Sequence, residues 1–119
     1  MAKKEERIDP VILTLEDVGE EYTLEFDRDS VRFAEARGFD PSDIGKYPMT
    51  KVYELFFYAF RMHHKGVARD KTDKIIDNYF GGVAGLPDGL LERLGELYAQ
   101  PFTSLEDKEG KKGKATIRL

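Results

Sequence analysis

The chain has no cysteine among its 119 residues. That absence removes disulfides, thiolate metal sites and cysteine nucleophiles together, and it is compatible with a reducing compartment. Histidine is nearly as scarce, with two residues, His63 and His64, side by side. Neighbours on a helix diverge by about 100°, so the pair cannot chelate one metal as an i, i+4 pair would. Serine is limited to Ser30, Ser42 and Ser104, none inside a G-x-S-x-G turn, which leaves no basis for a hydrolytic triad. The glycines Gly81, Gly82 and Gly85 lack the Lys-Ser/Thr pair that a phosphate-cradling loop needs, and they read as helix punctuation. No apolar run approaches the roughly 18 residues of a membrane span. The start, "MAKKEERID", is charged where a signal peptide would be apolar. A basic excess is also missing: 23 acidic residues face 19 basic ones, for a net charge of −4. General nucleic-acid binding is disfavoured on that balance. These absences predict a cytoplasmic protein of one domain, with no enzymatic activity, no cofactor and no metal, acting through its surface.

What is present organises itself by period. "VILTLEDVGEEYTLEFD" alternates Val11, Leu13 and Leu15, then Tyr22, Leu24 and Phe26, around a polar turn in which Gly19 can supply a positive φ. A β-hairpin is expected, and a lone two-stranded ribbon is marginal in water, so it must lie on helices or gain a third strand. "DRDSVRFAEARG" predicts a short helix capped by Asp27 or Asp29 and stopped at Gly38. "FDPSDIGKYPM" reads as a loop. The main helix is expected from a Thr50 cap to about Gly66, a third from an Asp70 or Thr72 cap to Gly81, and a last one through Leu90, Leu91, Leu94, Leu97 and Tyr98. Pro87 suits its first turn and Pro101 should break or kink it, with Phe102 and Leu105 continuing the packing. The expected fold is α+β: an N-terminal hairpin, a small bundle of three to four helices, and a candidate strand at the C-terminus. Residues 1–10 are expected to be disordered, 11–105 to form the domain, and 106–119 to be a flexible charged tail. That tail ends in "ATIRL", where Ala115, Ile117 and Leu119 alternate with Thr116 and Arg118. Ile117 and Leu119 are therefore candidates for strand exchange, in the same subunit or a neighbour.

The main helix carries the anomaly. "VYELFFYAFRMHHKG" places five aromatic rings between Tyr53 and Phe60. On a helical projection its apolar residues cover an arc of roughly 220°, against the 100° or slightly more of an ordinary surface helix. Phe56 and Phe60 are assigned to the core. Tyr53, Phe57 and Tyr58 lie on the flanks, and a body this small is short of elements to cover them. Apolar patches of that kind mark partner surfaces, so these three are the candidate partner-binding residues and homo-oligomerisation is expected. The run from Arg61 to Lys74 could grip an acidic partner, but Asp70 and Asp73 dilute its charge. The histidines are read as complementing the helix C-terminus.

The segments "EYTLEFDRDSVRFAEARGFD", "ELFFYAFRMHHKG" and "LLERLGELYAQPF", in that order, resemble small proteins of tailed phages and prophages of Firmicutes. Those proteins are tail assembly chaperones, encoded just before the tape-measure protein, and the resemblance runs over roughly residues 11 to 105. It implies a non-enzymatic protein of the bacterial host's cytoplasm that self-associates and coats the long helical tape-measure chain until the tail tube forms around it. It also implies a longer frameshifted form, for which Lys111-Lys112 could mark an A-rich slippery site. No site residue is carried over, because the resemblance rests on structural segments. Two other readings stand beside it: a structural tail subunit that stays in the virion, and a nucleic-acid-binding regulator using Arg61 to Lys74.

Overall fold

The computed structural model describes residues 7–103 and 116–118. Strands β1 (Val11–Leu15) and β2 (Glu20–Leu24) pair antiparallel, with Val11 opposite Leu24 and Leu13 opposite Tyr22. Gly19 turns the chain at a φ of 68°, the left-handed region that favours glycine. The alternating side chains of Val11, Leu13, Leu15, Tyr22 and Leu24 lie against the core, as a half-buried ribbon requires.

Four helices follow the hairpin: α1 (Arg28–Ala36), α2 (Pro48–Phe60), α3 (Arg69–Phe80) and α4 (Leu90–Thr103). The expected α+β arrangement is the one observed. Asp27 caps α1 through a reciprocal pair, its carboxylate accepting from Ser30 N–H at 2.8 Å while Ser30 Oγ accepts from Asp27 N–H at 2.8 Å. A cap of this kind stabilises a nine-residue helix by about 1 kcal/mol. After Gly38 the chain doubles back, and Phe39 N–H reaches the carbonyl of Ala34 at 3.1 Å, which delivers the Phe39 ring to the core.

Several boundaries differ from the expectation, each for a local reason. Helix α2 starts at Pro48, two residues before Thr50, because a proline at the first helical position gives up no hydrogen bond and has φ preset. It stops at Phe60, short of Gly66, and the chain leaves through tighter turns that place both histidines over β2. Helix α3 starts at Arg69 after Ala68, so neither Asp70 nor Thr72 caps it. Thr72 is buried and its hydroxyl donates back to Arg69 C=O at 3.0 Å. Gly81 ends α3 in the left-handed conformation, and Gly82 N–H reaches Ile76 C=O at 3.1 Å. Gly85 is needed for its smallness: a Cβ there would lie 1.7 Å from the carbonyl oxygen of Phe80. Helix α4 runs through Pro101 to Thr103, so the expected break is absent. The proline falls in the last turn, and its own carbonyl accepts from Arg28 Nε at 3.1 Å. Phe102 points outward, 61% exposed, instead of extending the core; Leu105 lies outside the described residues.

The core is centred on α2, whose Val52, Leu55, Phe56, Ala59 and Phe60 are all buried. Around it stand α1, α3, α4 and β2. Residues before the hairpin also belong to this body: Ile8 packs on the core and Arg7 pairs with Glu25, so the expected disorder does not extend over residues 7–10. The rest of that expectation, residues 1–6, lies outside the described residues, as does the tail apart from Thr116–Arg118. Among the described residues Thr116–Arg118 form no strand; Ala115 and Leu119, the other residues of the candidate C-terminal strand, lie outside the described residues. No helix among the described residues is long and apolar enough to cross a membrane.

Candidate interaction surface

Helix α2 hides more of its circumference than its own neighbours in sequence suggest. Tyr58 was expected to face a partner, and it is instead a core residue, 5% exposed. Phe39 and Phe33 close over it, with ring centroids 5.3 and 5.9 Å away. Outside Phe33 the guanidinium groups of Arg61 and Arg37 lie at 3.7 and 4.4 Å from the ring centre, sealing that flank with cation–π contacts. Tyr53 is half-buried and its hydroxyl donates to the Asp77 carboxylate, tying α2 to α3. That bond to a carboxylate is the first cause, ahead of burial, that pushes the Tyr53 phenol up to about 12. Phe57 is half-buried against the core and touches the Tyr58 ring at 5.3 Å. The three flank residues thus hold the chain's own elements together.

The histidines have partners that spacing alone did not announce. His64 Nε2 accepts the Thr23 N–H of β2 at 2.9 Å, so the ring is neutral and its proton sits on Nδ1. Burial first, and the neighbouring His63 second, lower the pKa of His64 below its ordinary value of 6.5. His63 Nε2 lies 2.8 Å from Glu25 Oε1, and Arg7 donates to the other oxygen at 2.9 Å. Glu25 is therefore a buried carboxylate, 6% exposed, held between two basic groups. Its N–H donates to Ala59 C=O at 3.0 Å, extending the ribbon's bonding onto the end of α2. Among the described residues no cluster of three or more metal-ligating side chains exists, and this bridge is a fastener between β2 and α2.

An open cleft of about 340 Å³ lies between the hairpin turn and α3. Leu15 and Ile75, both buried, contribute its apolar floor, and Val18 and Tyr79 stand beside it at 57% and 42% exposure. Charges of both signs ring it, each matched: Lys71 donates to Glu20 at 2.8 Å, and Lys74 sits 3.1 Å from Asp70. Glu20 also accepts from Tyr22, and the Lys71 bond, then the Tyr22 bond, lower its pKa. Tyr79 donates to Asp17 at 2.7 Å, which raises the pKa of its phenol. A cleft of this size, at the small end of binding pockets, accepts one or two large apolar side chains flanked by charges. The sequence signal for it was thin: Val18 is an apolar residue in a polar turn, and Tyr79 ends an otherwise ordinary helical stripe.

In the segment from Arg61 to Lys74 four of the five Lys and Arg side chains are engaged, and Lys65 is exposed. Arg61 lies on Phe33, Arg69 pairs with Asp73 at 2.8 Å, and Lys71 and Lys74 have the partners given above. At the C-terminus Ile117 is 83% exposed.

A two-stranded ribbon seated on a central aromatic helix, with three further helices around it, defines a small α+β domain. A family model matches the whole length, residues 1–119, and the chain belongs to that family, the Domain of unknown function DUF5055. No curated protein and no solved structure matches the chain.

Proposed function

We propose that the protein is a phage tail assembly chaperone that self-associates and holds the tape-measure protein in the cytoplasm of the bacterial host during tail morphogenesis. The resemblance of its three segments to such proteins is the starting point, and one structural observation supports it: the apolar-floored, charge-rimmed cleft between the hairpin and α3. A tape-measure helix presents apolar residues at i, i+3 and i+4 with charges beside them, and such a cleft takes one such step of the stripe. Many copies along one chain then bind by avidity, without any single tight site. The cleft is added to Tyr53 and Phe57, which are partly exposed, as a partner surface, whereas Tyr58 is buried in the chain's own core. The regulator reading loses ground because Arg69, Lys71 and Lys74 are matched by carboxylates and Arg61 is stacked on Phe33, while Lys65 is left exposed.

The test is co-expression with a tape-measure protein, which the proposal expects to be encoded immediately downstream. Wild-type protein is expected to keep the tape-measure chain soluble and to co-purify with it, and Val18→Asp with Tyr79→Ala is expected to lose at least tenfold of that complex. A tape-measure chain that stays insoluble beside well-folded wild-type protein overturns the reading. Recovery of the protein from mature particles would move it to the structural subunits of the virion.

A further inference from the structure

A two-stranded ribbon has two outer edges, and here they differ. On β2 and just after it the outward N–H groups belong to Glu21, Thr23 and Glu25, and the last two are occupied, by His64 Nε2 and by Ala59 C=O. Because Thr23 points away from β1, the pair Ile12–Thr23 is the non-bonded kind. The ladder bonds therefore fall at Val11–Leu24, Leu13–Tyr22 and Leu15–Glu20. Ile12 and Thr14 then direct their backbone groups outward from β1, and among the described residues nothing pairs with them. Both side chains are exposed, Ile12 at 55%. Open edges of this kind are templates for another strand.

We propose that the open edge of β1 receives the C-terminal segment 115–119 of a second copy of this chain. This deepens the self-association half of the function proposed above and is independent of the tape-measure half. The alternating run from Ala115 to Leu119 is long enough to span the five residues of β1. Pattern matches: Ala115, Ile117 and Leu119 continue the core face of Val11, Leu13 and Leu15, while Thr116 and Arg118 fall beside Ile12 and Thr14 on the water face. Charge matches as well. Residues 108–119 carry five basic side chains and one acidic, and the hairpin turn presents Glu16, Asp17, Glu20 and Glu21. The eleven residues from 104 to 114 reach at most about 40 Å when extended, enough for either its own edge or a neighbour's. Among the described residues Thr116–Arg118 form no strand and Ile117 is 83% exposed, which leaves this run available to a neighbour. Donation from the tail of one copy to the hairpin of the next is a head-to-tail contact, which closes into a ring or runs on as a filament.

The absence of native cysteine makes the test clean. Full-length chains carrying Thr14→Cys are mixed under oxidising conditions with full-length, mass-tagged chains carrying Thr116→Cys. The expected result is a disulfide-linked heterodimer, formed at least tenfold faster than when the first cysteine is placed at exposed Ala36 on α1. Adding Ile117→Pro to the tagged chain should abolish that advantage and shift the otherwise wild-type protein to a smaller sedimenting species. Equal rates at Thr14 and Ala36 would overturn the proposal. So would a Thr14→Cys/Thr116→Cys chain that closes only on itself, or a wild-type chain that sediments as a monomer at high micromolar concentration. None of these readings involves the tape-measure protein, so failure here and failure of the holding function are told apart.

Discussion

Helix α2 and the hairpin divide the chain's apolar residues in opposite ways. The helix holds five aromatic rings within eight positions, and its Phe56, Tyr58 and Phe60 are all at least 95% covered. The hairpin is also rich in large apolar residues, yet Ile12 and Val18 stand more than half exposed, one beside an open strand edge and the other beside the cleft. Apolar density along the sequence therefore does not by itself separate the centre of this body from its exposed edge. What decides exposure is the supply of covering groups. Phe33 and Phe39 reach α2 from the end of α1 and the loop after it, whereas nothing among the described residues lies along the outer edge of β1.

The largest expected effect separates these two regions. Tyr58→Ala should destabilise the fold by about 3 kcal/mol, in the range for emptying a buried aromatic site. Val18→Ala, on the exposed turn, should stay within about 0.5 kcal/mol. Urea unfolding of both variants measures the contrast. A Tyr58→Ala protein as stable as wild type would return that residue to the surface and reopen the aromatic helix as a partner site.

Much of the helix punctuation was legible because it is local. Gly19, Gly38 and Gly81 all adopt the positive φ that their positions between periodic segments imply, and Asp27 caps α1 within three residues of its partner. Glu25 shows where such reading stops. The alternation of Tyr22, Leu24 and Phe26 places it on the outer face of the ribbon, and so it is. It is buried there because Arg7 and His63 arrive from 18 and 38 residues away. The burial of Tyr58 has the same origin: "FDPSDIGKYPM" reads as a loop, yet Phe39 and Ile44 from that loop pack on the core. A pattern of two or 3.6 residues carries no information about a cover supplied from a distant turn. The cleft was equally hidden, since it exists only where the hairpin turn meets α3.

A second contrast can be sharpened at the seam between the two regions, where His64 holds β2 to the end of α2. His64→Ala leaves the Thr23 N–H without its acceptor and should cost about 1–2 kcal/mol. The pH dependence follows from the lowered pKa. Only the neutral ring accepts that N–H, so the folded state binds the proton less readily than the unfolded chain. The His64 contribution is therefore complete above the unfolded value of about 6.5, and it fades as pH falls through 6.5 toward the lower folded value. Stability followed by chemical unfolding from pH 8 to pH 5 should fall more steeply for wild type than for His64→Ala. Parallel slopes would mean that the imidazole does not titrate against folding.

The smallest expected effect lies in the core itself and has the opposite sign. Tyr98 on α4 is 3% exposed, with its ring against Phe26 and Phe39 at centroid distances of 5.0 and 5.5 Å. Its hydroxyl has no hydrogen-bond partner among the described residues. Burial is the first cause that pushes this phenol up to about 12, followed by the carboxylates of Glu35 and Asp40. A buried hydroxyl without a partner loses its water and gains nothing in exchange. Tyr98→Phe keeps the ring contacts and removes only that oxygen, and it should raise stability by about 1 kcal/mol. Thermal unfolding of the purified variant reads this directly. A loss of similar size would mean that the hydroxyl has an acceptor contributed by the chain beyond Thr103 or by a second copy, and the core around α4 would then be continuous with the surface that the hairpin presents.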